Sequence, residues 1–373
     1  MRIAYDARPL VDQGTGIGRY VRCLLEALLE HPEVKEMLLC SPRRINTDGV
    51  LGLDPRVRRR VQRGWKGNVW LQVVVPFLLA GYKPDLFHGT LFLPPLLARC
   101  RSVVNVYDLT VYRYPGTMQR RNRWPLRILL PRAVSRADRI VTLSSFTKRE
   151  IGARWPAASD KTVVIPGAST LFPNAPTDSP LGLDPERTLA RYGVRRPYIL
   201  YVGTMEPRKN VVRMLKVFEL VQEMGAKDTQ FVLVGHEGWG FAEVRRAWES
   251  SPSRSAIRYI GYVPDEALGV VYRCAELFLY LSLYEGFGLP PLEAMAAGTC
   301  VVASDRASLT ECLGDAAVLV DPIDTESAAR EVFRLLRDEH LRMDFVQRGR
   351  RRAAGYSWRR SAKETLSLYR ELP

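Results

Sequence analysis

Residues that usually announce a metal or redox chemistry are few in this chain and lie far apart. Its six cysteines, Cys23, Cys40, Cys100, Cys274, Cys300 and Cys312, form no Cys-x-x-Cys pair and mostly sit inside apolar runs. Neither a zinc site nor a disulfide framework is expected, and the thiols read as reduced and buried. No Asp-x-Asp dyad is present to hold a divalent metal on a diphosphate, and no His/Cys/Glu cluster falls at ligand spacing. A Gly-x-Ser-x-Gly elbow and a Walker A sequence are also missing, which removes the best support for hydrolase and NTPase readings. No stretch approaches the roughly 18 apolar residues of a membrane span. Met1-Arg2-Ile3-Ala4 runs straight into a strand-like segment with no apolar signal core, so a cytoplasmic protein is expected. The nearest thing to a span, Val69 to Tyr82, is interrupted by Gln72 and Pro76 and reads as a buried helix.

What is present fits a soluble globular chain: 373 residues, long enough for two domains, with 46% apolar and 25% charged residues. The net charge of +15 is concentrated from Arg43 to Lys66, from Arg113 to Arg139 and from Arg348 to Arg360, which points to an anionic partner. Trp124, Leu126, Ile128, Leu129 and Leu130 interleave with Arg120, Arg121, Arg123, Arg127 and Arg132. That composition suits the surface of an anionic membrane, or equally a solvated helix with one buried side. The basic residues form no recognition-helix, zinc-finger or aromatic stacking signature, so no nucleic-acid partner is expected.

Strand-like and helix-like segments alternate through both halves. Arg2 to Asp6, Met37 to Cys40, Asp85 to His88, Val103 to Tyr107, Ile140 to Leu143 and Val163 to Gly167 read as strands of a first series, with a helix near Gly18 to Glu30. A second series runs through Tyr198 to Val202, Phe231 to Val234, Ile257 to Ile260, Leu277 to Leu281, Cys300 to Ala303 and Ala317 to Val320. Helical patterns follow Thr325, Leu341 and Ser357. Between the series the composition shifts to Pro, Asp, Ser, Thr and Gly, so a linker is placed there. The expected fold class is α/β, with two Rossmann-like, doubly wound parallel-sheet domains. The domains are read as 1–175 and 197–356, with a linker over 176–196 and a C-terminal helix over 357–373. Open sheets of this kind bind ligands outside the carboxyl ends of their strands, and two of them would share a cleft.

The candidate chemistry falls on such strand ends. Glu285-Gly286-Phe287-Gly288-Leu289-Pro290-Pro291-Leu292-Glu293 places two carboxylates around a glycine-rich turn and a helix start. Backbone N–H groups of Phe287, Gly288 and Leu289 can receive a diphosphate, which leaves Glu285 and Glu293 for sugar hydroxyls. The plainer reading makes Glu293 a helix-dipole or capping acid and Glu285 a solvated loop residue. Gly203-Thr204-Met205-Glu206-Pro207-Arg208-Lys209-Asn210 sets two cations at a strand-to-helix turn, where the helix dipole disfavours positive charge. Arg208 and Lys209 are therefore candidates for the diphosphate, ahead of a solvated basic pair. Gly14-Thr15-Gly16-Ile17-Gly18-Arg19-Tyr20 allows close backbone approach but is not the dinucleotide fingerprint. His88 and the Tyr107-Asp108 pair end two further strands, although an isolated histidine is more often structural.

Taken in order, these segments resemble a family 4 glycosyltransferase of the two-domain GT-B architecture, also called the glycosyl transferases group 1. The resemblance spans nearly the whole chain and rests on the Gly14 to Arg19 loop, Phe87-His88-Gly89, Val141 to Ser145, Gly203 to Asn210, Gly261-Tyr262-Val263, Glu285 through Gly298, and Gly314-Asp315-Ala316-Ala317. It implies a nucleotide-sugar site formed by Gly14, Gly16, Thr204, Arg208, Lys209, Tyr262, Val263, Glu285, Gly286, Phe287, Gly288, Leu289 and Glu293. Glu293 would bind the ribose, Glu285 the donor sugar, and Arg208 with Lys209 the departing diphosphate, without a metal or other cofactor and with retention of configuration. His88, Tyr107 and Asp108 would face the acceptor. Where many relatives carry a histidine this chain has Tyr107, so Asp108 is left to orient or deprotonate the acceptor hydroxyl.

The pattern of Asp6-Ala7-Arg8 with Gly16 to Tyr20 is most similar to bacterial enzymes building the O-antigen of lipopolysaccharide or exopolysaccharide, often mannosyltransferases. GDP-mannose is then favoured over UDP-hexoses, with a saccharide or lipid-linked saccharide acceptor at the cytoplasmic face of an anionic inner membrane. A nucleotide-sugar epimerase, a phosphorylase of the same fold, and a non-catalytic membrane- or carbohydrate-binding relative are the alternatives.

Overall fold

The computed structural model describes residues 1–11, 15–45, 49–62, 67–172 and 183–372. The chain divides into two compact units, Met1–Gly167 with Trp358–Pro373, and Ala168–Ser357. In the first unit, strands β1 (Arg2–Asp6), β2 (Glu36–Ser41), β3 (Val57–Val61), β4 (Leu86–Gly89), β5 (Arg101–Asn105), β6 (Arg139–Thr142) and β7 (Thr162–Val164) form one sheet in the order 3-2-1-4-5-6-7. Every pairing is parallel, with Tyr5 opposite Leu39 on one side and His88 on the other. In the second unit, β8 (Tyr198–Val202), β9 (Gln230–Val234), β10 (Ile257–Gly261), β11 (Leu277–Tyr280), β12 (Cys300–Ser304) and β13 (Val318–Val320) take the order 10-9-8-11-12-13. Both sheets reverse their winding beside their first strand, so right-handed crossovers lay helices on both faces. Ile3, Ala4, Tyr5, Phe87 and Val103 are wholly buried in the first sheet, as are Ile199, Leu200, Phe231, Phe278 and Val302 in the second. Strands covered on both faces read as continuous apolar runs, and those were the ones legible from sequence.

Three features differ from the sequence reading. Strand β3 lies inside the basic stretch and carries Arg58, Arg59 and Arg60, all exposed. As the edge strand paired only with β2, it needs no apolar face, and its charges guard the open edge. The helix Gly67–Tyr82 buries Trp70, Leu71, Val74 and Val75 but turns Phe77 and Val69 outward, at 78% and 52% exposure, so it is not a buried helix. The first unit ends at Gly167, and the next residues pack on the second: Phe172 lies beneath Arg273 and against Gly269. In keeping with its prolines, the expected linker holds nothing longer than a short helix among its described residues, Pro185–Arg191, capped by Asp184.

None of the six cysteines forms a disulfide; Cys40, Cys300 and Cys312 are buried and the other three half-buried. The helix Arg120–Arg136 turns Leu130, Ala133 and Val134 inward and Trp124 and Ile128 outward. Among the described residues no helix is long and apolar enough to cross a membrane.

Candidate active site

Strands β8 and β11 are neighbours where the second sheet reverses its winding, and the loops leaving them meet. After β8 the chain makes a short turn, Pro207–Lys209, and Asn210 then takes a left-handed conformation at φ 62° before the helix Val211–Glu223. Asparagine tolerates that conformation better than most residues, and here its side chain has a second use. Asn210 Nδ2 donates to the carbonyls of Leu281 at 2.9 Å and Pro322 at 2.8 Å, tying the β8 loop to the chain leaving β11 and to the loop beyond β13. Leu283 N–H donates to the Arg208 carbonyl at 2.9 Å, and Ser282 Oγ lies 3.2 Å from the same oxygen. Arg208 and Lys209 are thereby pinned against residues 281–285.

Glu285 is the centre of what results. Its Oε2 lies 2.9 Å from Arg208 Nη1 and its Oε1 lies 2.6 Å from Lys209 Nζ. Oε1 also accepts from Ser282 Oγ at 2.6 Å and from Tyr280 OH at 3.0 Å. Lys209 donates to Tyr280 OH at 2.6 Å, and Glu206 holds the far side of the Arg208 guanidinium at 3.0 Å. Burial would push the Glu285 carboxyl up, but Arg208 and Lys209, with the Lys209 and Ser282 hydrogen bonds, overcome it and hold the group at about 2. Burial draws the Lys209 ammonium down from its ordinary value, opposed by the charge of Glu285. Two cations thus face two carboxylates, in a buried cluster whose charges balance.

Beyond Glu285, Ser308 Oγ lies 2.8 Å from the Glu285 carbonyl and 3.0 Å from that of Phe287, and its one proton, shared between them, fixes the turn. Gly288 caps the helix Leu289–Ala297 at φ 125°, and a Cβ there would sit 2.7 Å from Leu309 Cδ2, so the position demands glycine. Glu293 lies in the body of that helix with 1% exposure. It accepts from Thr170 Oγ1 and, at 3.1 Å, from Tyr272 OH. It is therefore no helix-start cap, and Glu285 is no solvated loop residue.

With this geometry in place, residues 191–352 match the family Glycosyl transferases group 1, and residues 14–168 match Glycosyltransferase Family 4. Over its full length the chain is 30% identical to O-antigen chain mannosyltransferase B of Escherichia coli, with 100% of both chains covered. The chain is a family 4 glycosyltransferase. The fold of the transferase is GT-B: it superposes with a TM-score of 0.79 on sucrose-phosphate synthase from Thermosynechococcus elongatus, at 21% identity over 100% of this chain and 99% of that one. For the HepE protein of Anabaena in complex with UDP and glucose the TM-score is 0.76, at 16% identity and 100% coverage of both.

Other residues expected in the transferase's donor site are placed less directly. Thr204 is exposed, and its carbonyl accepts from Tyr201 OH at 3.2 Å. Tyr262 is 45% exposed and stacks on His236, ring centres 5.0 Å apart, whereas Val263 is buried. Phe287 is also buried, edge-on to Tyr356. In the first unit Gly16 opens the helix Gly16–Leu29, capped by Thr15, and a Cβ on it would meet nothing within 4 Å. Gly14 lies outside the described residues.

The three residues expected at the acceptor do not share one role in the transferase. His88 is wholly buried, with Nδ1 at 2.6 Å from Tyr369 OH and Nε2 at 2.6 Å from Asn105 Oδ1. Burial lowers its pKa to about 4, against the opposing hydrogen bond from Asn105, so it is neutral near pH 7 and leaves no ring nitrogen for an acceptor. Tyr107 OH accepts from Asn105 Nδ2 at 3.1 Å and donates to the Thr90 carbonyl at 2.9 Å, continuing the same network. Asp108 is half-exposed, and one carboxylate oxygen accepts from Thr110 N–H at 2.8 Å. Tyr280, Ser282, Asn210, Thr170 and Tyr272 were not anticipated. Tyr280 and Ser282 alternate along the end of β11, so hydroxyls at period two in an apolar strand were the available signal.

Proposed function

We propose that this glycosyltransferase moves a hexose, mannose by preference, from a nucleotide diphosphate sugar to a saccharide or lipid-linked saccharide acceptor in the building of O-antigen or related surface polysaccharide. The observation that carries the reading is the Arg208–Lys209–Glu285 cluster at the reversal point of the second sheet, with Glu293 on the helix that follows. In this reading the diphosphate takes the donors of Arg208 and Lys209, so the two cations supply the charge stabilisation that a metal supplies elsewhere. Glu293, oriented by Thr170 and Tyr272, accepts from the ribose hydroxyls. Glu285 lies near the sugar.

The acceptor oxygen forms its bond to the anomeric carbon on the face from which the diphosphate departs, which retains configuration. As the bond from the anomeric carbon to the phosphate oxygen breaks, the acceptor proton passes to that leaving oxygen, with Asp108 orienting the hydroxyl. The full-length likeness to an O-antigen mannosyltransferase supports mannose and, through it, GDP-mannose over UDP-hexoses. A lipid-linked acceptor would set the enzyme to work at the cytoplasmic face of the inner membrane.

Calorimetric titration with GDP, GDP-mannose, UDP and UDP-glucose tests the donor. Saturable binding of the guanosine pair is expected, lost in Glu293→Ala. Binding of none would remove the transferase reading, and binding of the uridine pair alone would move the donor to a UDP-hexose. The anomeric proton coupling of the product decides retention.

A further inference from the structure

The first unit carries an apolar groove of about 620 Å³ between the second half of the helix Gly67–Tyr82 and the turn 94–100. Val73, Pro76, Phe77, Leu97 and Ala98 line it, and Phe77 and Leu97 stand out at 78% and 76% exposure. The helix has no charged side chain. Its Gln72 is turned inward, donating to the Pro94 carbonyl at 2.9 Å and accepting from Leu96 N–H at 2.8 Å, so the groove's two walls are fastened together. Lys83 and Arg99 sit at its rim. Ala98, Arg99 and Cys100 also line a second, smaller cavity of about 240 Å³, where Arg101 and Arg136 add two more guanidinium groups. Asp138, the acid lining that cavity, is occupied by Ser102 N–H at 2.7 Å.

An apolar trough continuous with a cationic pocket has the two halves of an amphiphile: hydrocarbon for the first, an anionic head for the second. We infer that this groove docks the first unit on a bilayer by taking an acyl chain of an anionic phospholipid, whose phosphate meets Arg99 with Lys83 or Arg101. The groove lies at the amino ends of β4 and β5, beside Pro84 and Cys100, whereas Tyr107 and Asp108 follow the carboxyl end of β5. A five-residue strand spans roughly 13 Å, so the sugar of an acceptor held in the groove would lie at the wrong edge of the sheet. The occupant is therefore membrane lipid and not the acceptor itself. The proposed lipid-linked acceptor gives this docking its purpose, but lipid capture stands without transfer.

Vesicle flotation tests it, comparing mixed phosphatidylglycerol–phosphatidylcholine vesicles with phosphatidylcholine alone. Wild type should partition preferentially to the anionic vesicles. Phe77→Ser with Leu97→Ser, both at exposed positions, should lower that partitioning by about tenfold or more, and Arg99→Glu by several-fold at low salt. Phe77→Trp should shift its emission to the blue on the same vesicles and be quenched by brominated acyl chains. Unchanged flotation of the Ser variant, absence of a blue shift, loss of binding only with Trp124→Ser and Ile128→Ser, or displacement by inorganic phosphate at constant ionic strength would each overturn the proposal. Nucleotide affinity should be the same in all these variants, since none of the substituted residues belongs to the donor site. A chain that floats yet binds no nucleotide sugar would keep the groove and sink the transferase reading.

Discussion

The two units share one winding, with the reversal beside the first strand of each sheet, and yet they treat the polar groups at that place in opposite ways. In the first, Tyr5, Tyr369, His88, Asn105 and Tyr107 form a neutral chain of hydrogen bonds that ends on the Thr90 carbonyl. Asp6 is charged, but Arg8 grips both its oxygens, at 2.8 and 2.6 Å. In the second unit, Arg208, Lys209, Glu206 and Glu285 hold one another through charge-assisted hydrogen bonds, helped by hydroxyls that can turn. A neutral network satisfied from within offers an anion nothing. A balanced charged cluster can exchange one anion for another. The winding thus decides where a ligand could bind, and the side chains decide in which unit a diphosphate finds donors.

Removing one member of the charged cluster should give the largest effect. Lys209→Ala leaves Glu285 with Arg208 as its sole cation, and breaking a buried pair costs about 3–5 kcal/mol. Turnover of the donor should fall by tens-fold or more, and thermal stability should drop. Glu285→Gln should also melt earlier but regain more stability than wild type when a nucleoside diphosphate is added, because that anion supplies the missing charge. Equal ligand-induced shifts in wild type and variant would end the idea of exchange.

Acid should separate the units next. His88 titrates near 4 when folded, below its ordinary value of about 6.5, so the unfolded chain takes the proton first. Stability of the first unit is complete above pH ~6.5 and falls as pH drops toward about 4, by roughly 2–3 kcal/mol. Glu285, held at about 2, contributes stability above its ordinary value of about 4.3 that is lost only below it. Urea midpoints measured at pH 7 and pH 5 should differ in wild type and converge in His88→Gln. A pH-independent midpoint in wild type would show that His88 is not the group concerned.

The smallest effect should come from Tyr369→Phe, which strips one hydroxyl from His88 and Tyr5. A loss of about 1–2 kcal/mol is expected, with nucleotide affinity unchanged, and calorimetry beside denaturation checks both. A weaker affinity would mean that the neutral network reaches the donor residues.

Much of this was legible in the sequence, and the gaps have physical causes. Central strands announced themselves because burial on both faces forces continuous apolar runs, as in Tyr198 to Val202. Strand β3 did not, because an edge strand bearing Arg58, Arg59 and Arg60 has the composition of a solvated stretch. Arg208, Lys209 and Glu285 were found as separate motifs 76 residues apart, but their direct pairing depends on β8 and β11 being neighbours, which no local pattern encodes. Glu293 was found while Thr170, its partner 123 residues away, was hidden in a segment read as the end of the first domain. The outward face of the helix Gly67–Tyr82 was missed since a helix apolar all round looks the same whether protein or lipid covers it.

The bond between His88 and Tyr369 joins residues separated by 281 positions, with the entire second unit between them. On the ribosome, the first unit emerges before the helix Trp358–Arg370 that supplies Tyr369 exists. Until then His88 lacks its Nδ1 partner and Tyr5 its hydroxyl neighbour, at the centre of an otherwise finished sheet. Synthesis order and folding order therefore part company: the half of the protein made first is completed last, and its final closure reports that the rest of the chain has been made.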